Sequence, residues 1–409
     1  MPNLHIPRGQ TATLDRVEGE LRVGNHATIQ AINGKTVVVT QDAVFEGSAE
    51  VNGDFECDSL ECHSGRLEVN GNLTVHKRLD VGHSIEATGT IKAQDIDVGG
   101  KIFAGAVNCI RIRVGGQAEI ENTFEASSVD VGGKVSALGS VKLGDLQVGG
   151  EAEVGGGSIL GSIRVGGKFS SKSRLEFGEL LVYGRGFLPA DCKGHRVSTY
   201  GKLEVDGKIT CDFIEVGGVI EIHGDCYAQR VEVGGKFEVT GSLFSNRVEG
   251  YGAIEIGNFE GTTLRISGKL VANKIVVTEE ADISGKIETK QGLKAKQLTV
   301  RSGSRYEGVL IGERVEVGKS SDLSYGGWGT NWATKWVTAG GMARVDDIYA
   351  KDVVIGPMCR VGRIFAETVK IEQGSAAEQV TYTSELKTDF GVAIGETPKK
   401  VDTLPKPPF

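Results

Sequence analysis

The tripeptide Val-Gly-Gly recurs at residues 98–100, 114–116, 131–133, 148–150, 165–167, 216–218 and 233–235, and the close copies are 16 or 17 residues apart. A fixed short period constrains a chain more than any local propensity, because each repeat must bury its apolar face against the next. Two residues before each valine stands another aliphatic: Ile96, Ile112, Val129, Leu146, Ile163, Ile214 and Val231. Degenerate copies hold the same phase at Leu180/Val182 and Val197/Thr199, and later at Leu264/Ile266, Ala281/Ile283, Leu298/Val300 and Val315/Val317.

Each repeat divides again. Within 129–145 the pairs are Val129/Val131, Val135/Ala137 and Val141/Leu143, and the same phase reads Ala152/Val154, Ser158/Leu160 and Ile163/Val165. Upstream, Leu67/Val69, Leu73/Val75, Leu79/Val81, Ile85/Ala87 and Ile91/Ala93 follow at steps of six. Residues i and i+2 of a strand share a face. Three short strands, each followed by a bend, return the chain to its start, so the spacing predicts an all-β, single-stranded, three-sided β-helix (β-solenoid). About 22 turns of ~17 residues, stacked at ~4.8 Å, would give a rod of roughly 100 Å. Helical spacing is sustained nowhere.

Composition fits this geometry. Glycine supplies 60 of 409 residues and is expected in the bends, where φ > 0 costs it little. Proline supplies only 8, because stacked strands need their N–H donors. An apolar content of 39% with a net charge of −8 excludes a disordered chain, and no run of ~18 apolar residues provides a membrane span. Met1–Gln10 lacks the apolar stretch of a signal peptide.

The period sets the expected organisation: an N-terminal segment at 1–13, a continuous solenoid at 14–386 and a flexible proline-containing tail at 387–409. Residues 183–196 read as a weak, deformed turn. Val315 to Val353 spans 38 residues, two turns plus four, with an insertion at 320–345 that carries Tyr325, Trp328, Trp332 and Trp336. Clustered tryptophan on an aromatic-poor chain reads as a partner-contact patch or as a loop folded onto one flank. Phe409, ending the tail, is a further candidate contact.

Residues capable of chemistry do not converge. By phase, Cys57, Cys62, Cys109, Cys192, Cys211, Cys226 and Cys359 all point inward as small hydrophobes. His63, His76, His195 and His223 point outward, His26 and His83 fall at bends, and His5 lies in the N-terminal segment. The spacing of His63, His76 and His83 suits no interface zinc site. No Gly-Gly pair opens a helix or ends in Gly-Lys-Ser/Thr, so no phosphate loop is present. The interspersed charges do not suit a nucleic-acid binder. The column Asp97, Arg113, Asp130, Gln147, Arg164 is expected on the outer surface, with weak opposite-charge ladders between turns. No catalytic, cofactor-binding or metal-binding residue is expected, and no enzyme activity.

The pattern aliphatic-x-Val-x-Gly-x-aliphatic-x-Ala, clearest at 96–104, 129–137 and 203–211, closely resembles the bactofilins, the polymer-forming cytoskeletal proteins, of which this chain would be an unusually long member. The resemblance implies a right-handed β-helix and end-to-end assembly into filaments without nucleotide. It also implies peripheral attachment at the membrane and membrane- or envelope-associated partners, while seven cysteines with no CxxC pair and no dense framework read as a reducing cytoplasm. Solenoid ends expose strand edges and an open core. Leu21, Val23, Ala27 and Ile29 at one end, and Val369, Ile371, Val380 and Tyr382 at the other, are the expected polymer interface. The competing reading is a monomeric or dimeric binding rod that docks partners through the Trp loop and tail.

Overall fold

The computed structural model describes residues 3–319 and 342–409. It divides into two compact units, Met1–Asp206 and Gly207–Phe409. Each unit is a parallel β-solenoid, and the two together hold about 22 turns some 17 residues apart. Among the described residues there is no α-helix; the one helical element is a 3-10 turn at Ile32–Gly34. That turn lies between the strands Ala27–Ala31 and Val37–Val39 and lengthens the step from Leu21 to Ala43 to 22 residues.

The i, i+2 pairs are the core. In the first unit Leu79, Ile96, Ile112, Val129, Leu146, Ile163, Leu180 and Val197 stack in one in-register column. In the second, Ile214, Val231, Val248, Leu264, Ala281, Leu298, Val315, Val353, Val369 and Leu386 do the same. Nearly all of these side chains are fully buried; Leu386, in the last turn, is half-buried. Like residues recur at like positions, so each turn closes its neighbour's apolar face.

The glycines of Val-Gly-Gly serve a purpose other than the expected one. None has a positive φ; the left-handed region is used at other glycines, such as Gly53, Gly65 and Gly292. Instead they form two seams of stacked backbone. Gly99, Gly115, Gly132, Gly149 and Gly166 run along one corner line, and Gly100, Gly116, Gly133, Gly150 and Gly167 along the next. A Cβ on Gly116 would lie 2.6 Å from the carbonyl oxygen of Gly100. That oxygen accepts from both Gly116 N (2.9 Å) and Gln117 N (3.0 Å). The turn-to-turn hydrogen bonds therefore continue round the corner, at a separation that excludes a side chain. In the second unit Gly218, Gly235, Gly252, Gly268 and Gly285 repeat the arrangement.

Four sequence expectations need correction. The inward pair after Val154 is Gly157/Ile159, not Ser158/Leu160: Gly157 pairs with Val141 and Ile159 with Leu143, and Leu160 is 66% exposed. Gly156 and Gly157, both at positive φ, reset the phase by one residue, which reverses the face. The turn at 183–196 is not deformed. Arg185–Pro189 pairs with the turns on both sides. Of its four inward slots, Leu188 and Cys192 fill two; the other two fall on Gly186 and Gly194, where the space is filled by Leu203 and the Phe177 ring from adjacent turns. Third, Val353 pairs directly with Val315, so the 38-residue step is one turn carrying an insertion rather than two turns plus four. Finally, the solenoid overruns both expected boundaries. Leu4–Ile6 pairs with Leu21–Val23, and beyond Ala376–Thr388 the segments Ala393–Ile394 and Lys399–Lys400 still pair with that strand.

Candidate interaction surfaces

The residues expected at the polymer ends lie one turn inside them. Leu21 and Val23 have paired neighbours on both sides, and so does Ile29, between Ala12 and Val51. Ala27 pairs with Ala49, and all four are buried. Val369 and Ile371 lie between Val353/Ile355 and Leu386/Thr388. Val380 is fully buried on Ile364, and Tyr382 lies between Ala366 and Lys400. The outermost described turns instead carry Leu4, Ala12 and Leu14 in the first unit and Leu386 and Ile394 in the second, all half-buried. These residues keep the inward apolar phase of the turns beneath them, and their exposure follows from having a turn on one side only.

Tyr325, Trp328, Trp332 and Trp336 lie outside the described residues. Phe409 lies within them. The Lys274 Nζ is 5.2 Å from the centroid of its ring, and a Cβ on Gly292 would approach its Cε1 to 2.6 Å.

The outer faces are charged and paired. The column Asp97, Arg113, Asp130, Gln147, Arg164 is in register as expected. Some ion pairs join residues two apart on one strand, such as Arg78–Asp80 (2.7 Å), Lys236–Glu238 (2.8 Å) and Arg314–Glu316 (2.6 Å). Others cross between turns, as Glu151 does to Lys134 (3.6 Å) and Lys168 (3.3 Å). Exposed pairs of this kind each contribute tenths of a kcal/mol to about 1. Glu249 is better enclosed, 15% exposed, and is held by Arg247 (2.5 Å) and Arg230 (3.2 Å). The Arg247 hydrogen bond above all keeps its carboxyl below the usual range.

All seven cysteines are buried and none is disulfide-bonded. Burial pushes the Cys62 thiol up to about 11 and the Cys109 thiol up to about 12. Among the described residues no group of three or more His, Cys, Asp or Glu side chains could hold a metal ion. Two histidines face carboxylates instead, His63 with Glu61 (3.1 Å) and His76 with Glu56 (2.9 Å). No helix among the described residues is long and apolar enough to cross a membrane.

Three outward aromatic stacks were not anticipated: Tyr183–Tyr200 at 5.7 Å, Tyr227–Phe244 at 4.7 Å and Tyr349–Phe365 at 4.6 Å between ring centroids. Their signal in the sequence is the repeat step itself, 16 or 17 residues between the partners. No family model, no curated protein and no solved structure matches the chain.

Proposed function

We propose that this protein is a non-enzymatic, bactofilin-like structural element that assembles with further copies of itself, end to end and without nucleotide, into filaments or a scaffold. One observation carries the reading: the outermost described turns keep the apolar inward phase of the interior, with Leu4, Ala12 and Leu14 on one and Leu386 and Ile394 on the other half-buried. A parallel ladder has unlike edges, so a head-to-tail contact extends the same hydrogen bonding into the next copy. Such a contact is heterologous and does not close, which generates a polar filament. Buried cysteines, none of them in a disulfide, support placement in the reducing cytoplasm, and peripheral attachment to a membrane follows only from the family resemblance.

The test is negative-stain microscopy of the purified protein at micromolar concentration without nucleotide. Filaments are expected, shortened by Leu14→Lys and by Ile394→Lys, each of which places a charge in the stacked core. Discrete particles across salt and pH would refute assembly, and unchanged filament lengths in both variants would remove these turns from the contact.

A further inference from the structure

One outward column of the second unit breaks the rule that outward residues are exposed. Lys294, Ile311, Tyr349, Phe365, Thr381 and Lys399 stack in register, between inward residues such as Leu310, Ile348, Ile364 and Val380. Ile311 and Thr381 are each only 7% exposed, whereas the outward aliphatics Ile110 and Leu160 are 55% and 66% exposed. Tyr349 and Phe365 are half-buried and stacked on each other. An apolar stripe on the outside of a solenoid, screened from water, needs a cover.

The chain provides one between two fixed points. At the first, Lys399–Lys400 pairs with Thr381–Tyr382, and Val401 N donates to Tyr382 O at 2.9 Å. At the second, the Phe409 ring lies against Gly292 and Lys274. Gly292 has φ +124, and any side chain there would collide with the ring. The Gly292 turn lies five rungs back from that of Lys400 along the column, roughly 24 Å at ~4.8 Å per rung. The nine steps from Lys400 to Phe409, at ~3.1 Å each in polyproline II, span about 28 Å. Three prolines at 405, 407 and 408 favour that extended form. A segment of this length joining these two points crosses Phe365, Tyr349 and Ile311 obliquely, and Leu404 within it is half-buried.

We propose that Val401–Phe409 is a strap docked in cis along the groove formed by Ile311, Tyr349 and Phe365, with Phe409 seated at Gly292 as its anchor. The groove is thus a docking surface for an extended, proline-rich segment carrying Leu and Phe, and its occupant is this chain's own terminal segment. The strap ties the last six turns together and shields an apolar stripe that would otherwise promote lateral association.

The test is thiol reactivity in the full-length protein, where the seven native cysteines are buried and serve as an internal check on folding. Ile311→Cys is expected to react with a maleimide about tenfold more slowly than Lys294→Cys, its exposed neighbour in the column. Adding Leu404→Asp and Phe409→Ala is expected to raise the Ile311→Cys rate about tenfold and leave Lys294→Cys nearly unchanged. Thr381→Cys is a second reporter in case Ile311→Cys perturbs the fold. Protection that persists on dilution is expected of a cis strap, and protection lost on dilution would overturn the cis assignment. Equal rates for Ile311→Cys and Lys294→Cys with the strap intact, or an Ile311→Cys rate unmoved by the strap substitutions, would overturn the proposal.

Discussion

Two glycines from the same repeated tripeptide should respond oppositely to alanine. Gly116→Ala places a methyl 2.6 Å from Gly100 O, and a relaxed contact needs the turns to separate by about 0.6–0.8 Å. Gly100 O accepts from both Gly116 N and Gln117 N, so that separation weakens two hydrogen bonds at once. At roughly 1 kcal/mol each, with overpacking of 1–3 kcal/mol as the bound, the expected loss is about 2–3 kcal/mol. Gly234→Ala meets nothing nearer than Val216 O at 3.6 Å and has no positive φ. Its expected effect is within about 0.5 kcal/mol, or a slight stabilisation through a stiffer unfolded chain. Gly34→Ala separates the remaining cause, because it has open space around it but φ +66, and should cost about 1–2 kcal/mol through backbone strain alone. Because a solenoid's stability is a sum of neighbour terms, global melting would dilute these differences. Hydrogen exchange over 98–133 for Gly116→Ala, and over 216–250 for Gly234→Ala, reads them locally. Equal protection in the two variants would refute the argument that close approach of stacked backbone, rather than the motif itself, demands glycine.

The shortening of filaments by Leu14→Lys and Ile394→Lys, and the protection of Ile311→Cys by the strap, are two further expectations. The cysteines give a third. Burial holds the Cys62 and Cys109 thiols at about 11 and 12, against 9.0 without burial. The unfolded chain therefore loses these protons first. Their contribution to stability is complete below pH 9 and declines as pH rises from 9 towards 11–12. Denaturant titrations between pH 8 and 11 should show this decline, and maleimide should label the native cysteines only once the protein unfolds. Glu249 behaves in the opposite sense. Its carboxyl is held below 4.5 by Arg247 and Arg230, so its contribution is present above that pH and is lost as pH falls through the folded value. Glu249→Gln should cost about 0.5 kcal/mol at pH 7 once solvent screening is allowed for, and should flatten the acid limb of the stability profile.

The alternation of buried and exposed residues is a local property, and it was legible in the sequence. Pairs such as Val129/Val131 and Leu264/Ile266 are buried as their spacing requires, and the 17-residue step sets the fold class, because a strand's side-chain period of two and a fixed return length admit few other closures. Phase could still slip unseen. At Gly156–Gly157 two left-handed residues move the inward set by one, and nothing in the spacing of Ser158 and Leu160 reveals it. Which turn stacks on which is non-local, so only the tertiary structure shows that Val353 lies on Val315, that Leu4 lies on Leu21, and that the turns at Leu21 and Ile371 are interior. It also decides why the seams are glycine, since the separation between Gly100 and Gly116 is set by hydrogen bonds between residues 16 apart. The cover over Ile311 is more remote still: a segment some ninety residues downstream acts on a column that the sequence marks only as outward, and that contact exists only once every intervening turn has been stacked.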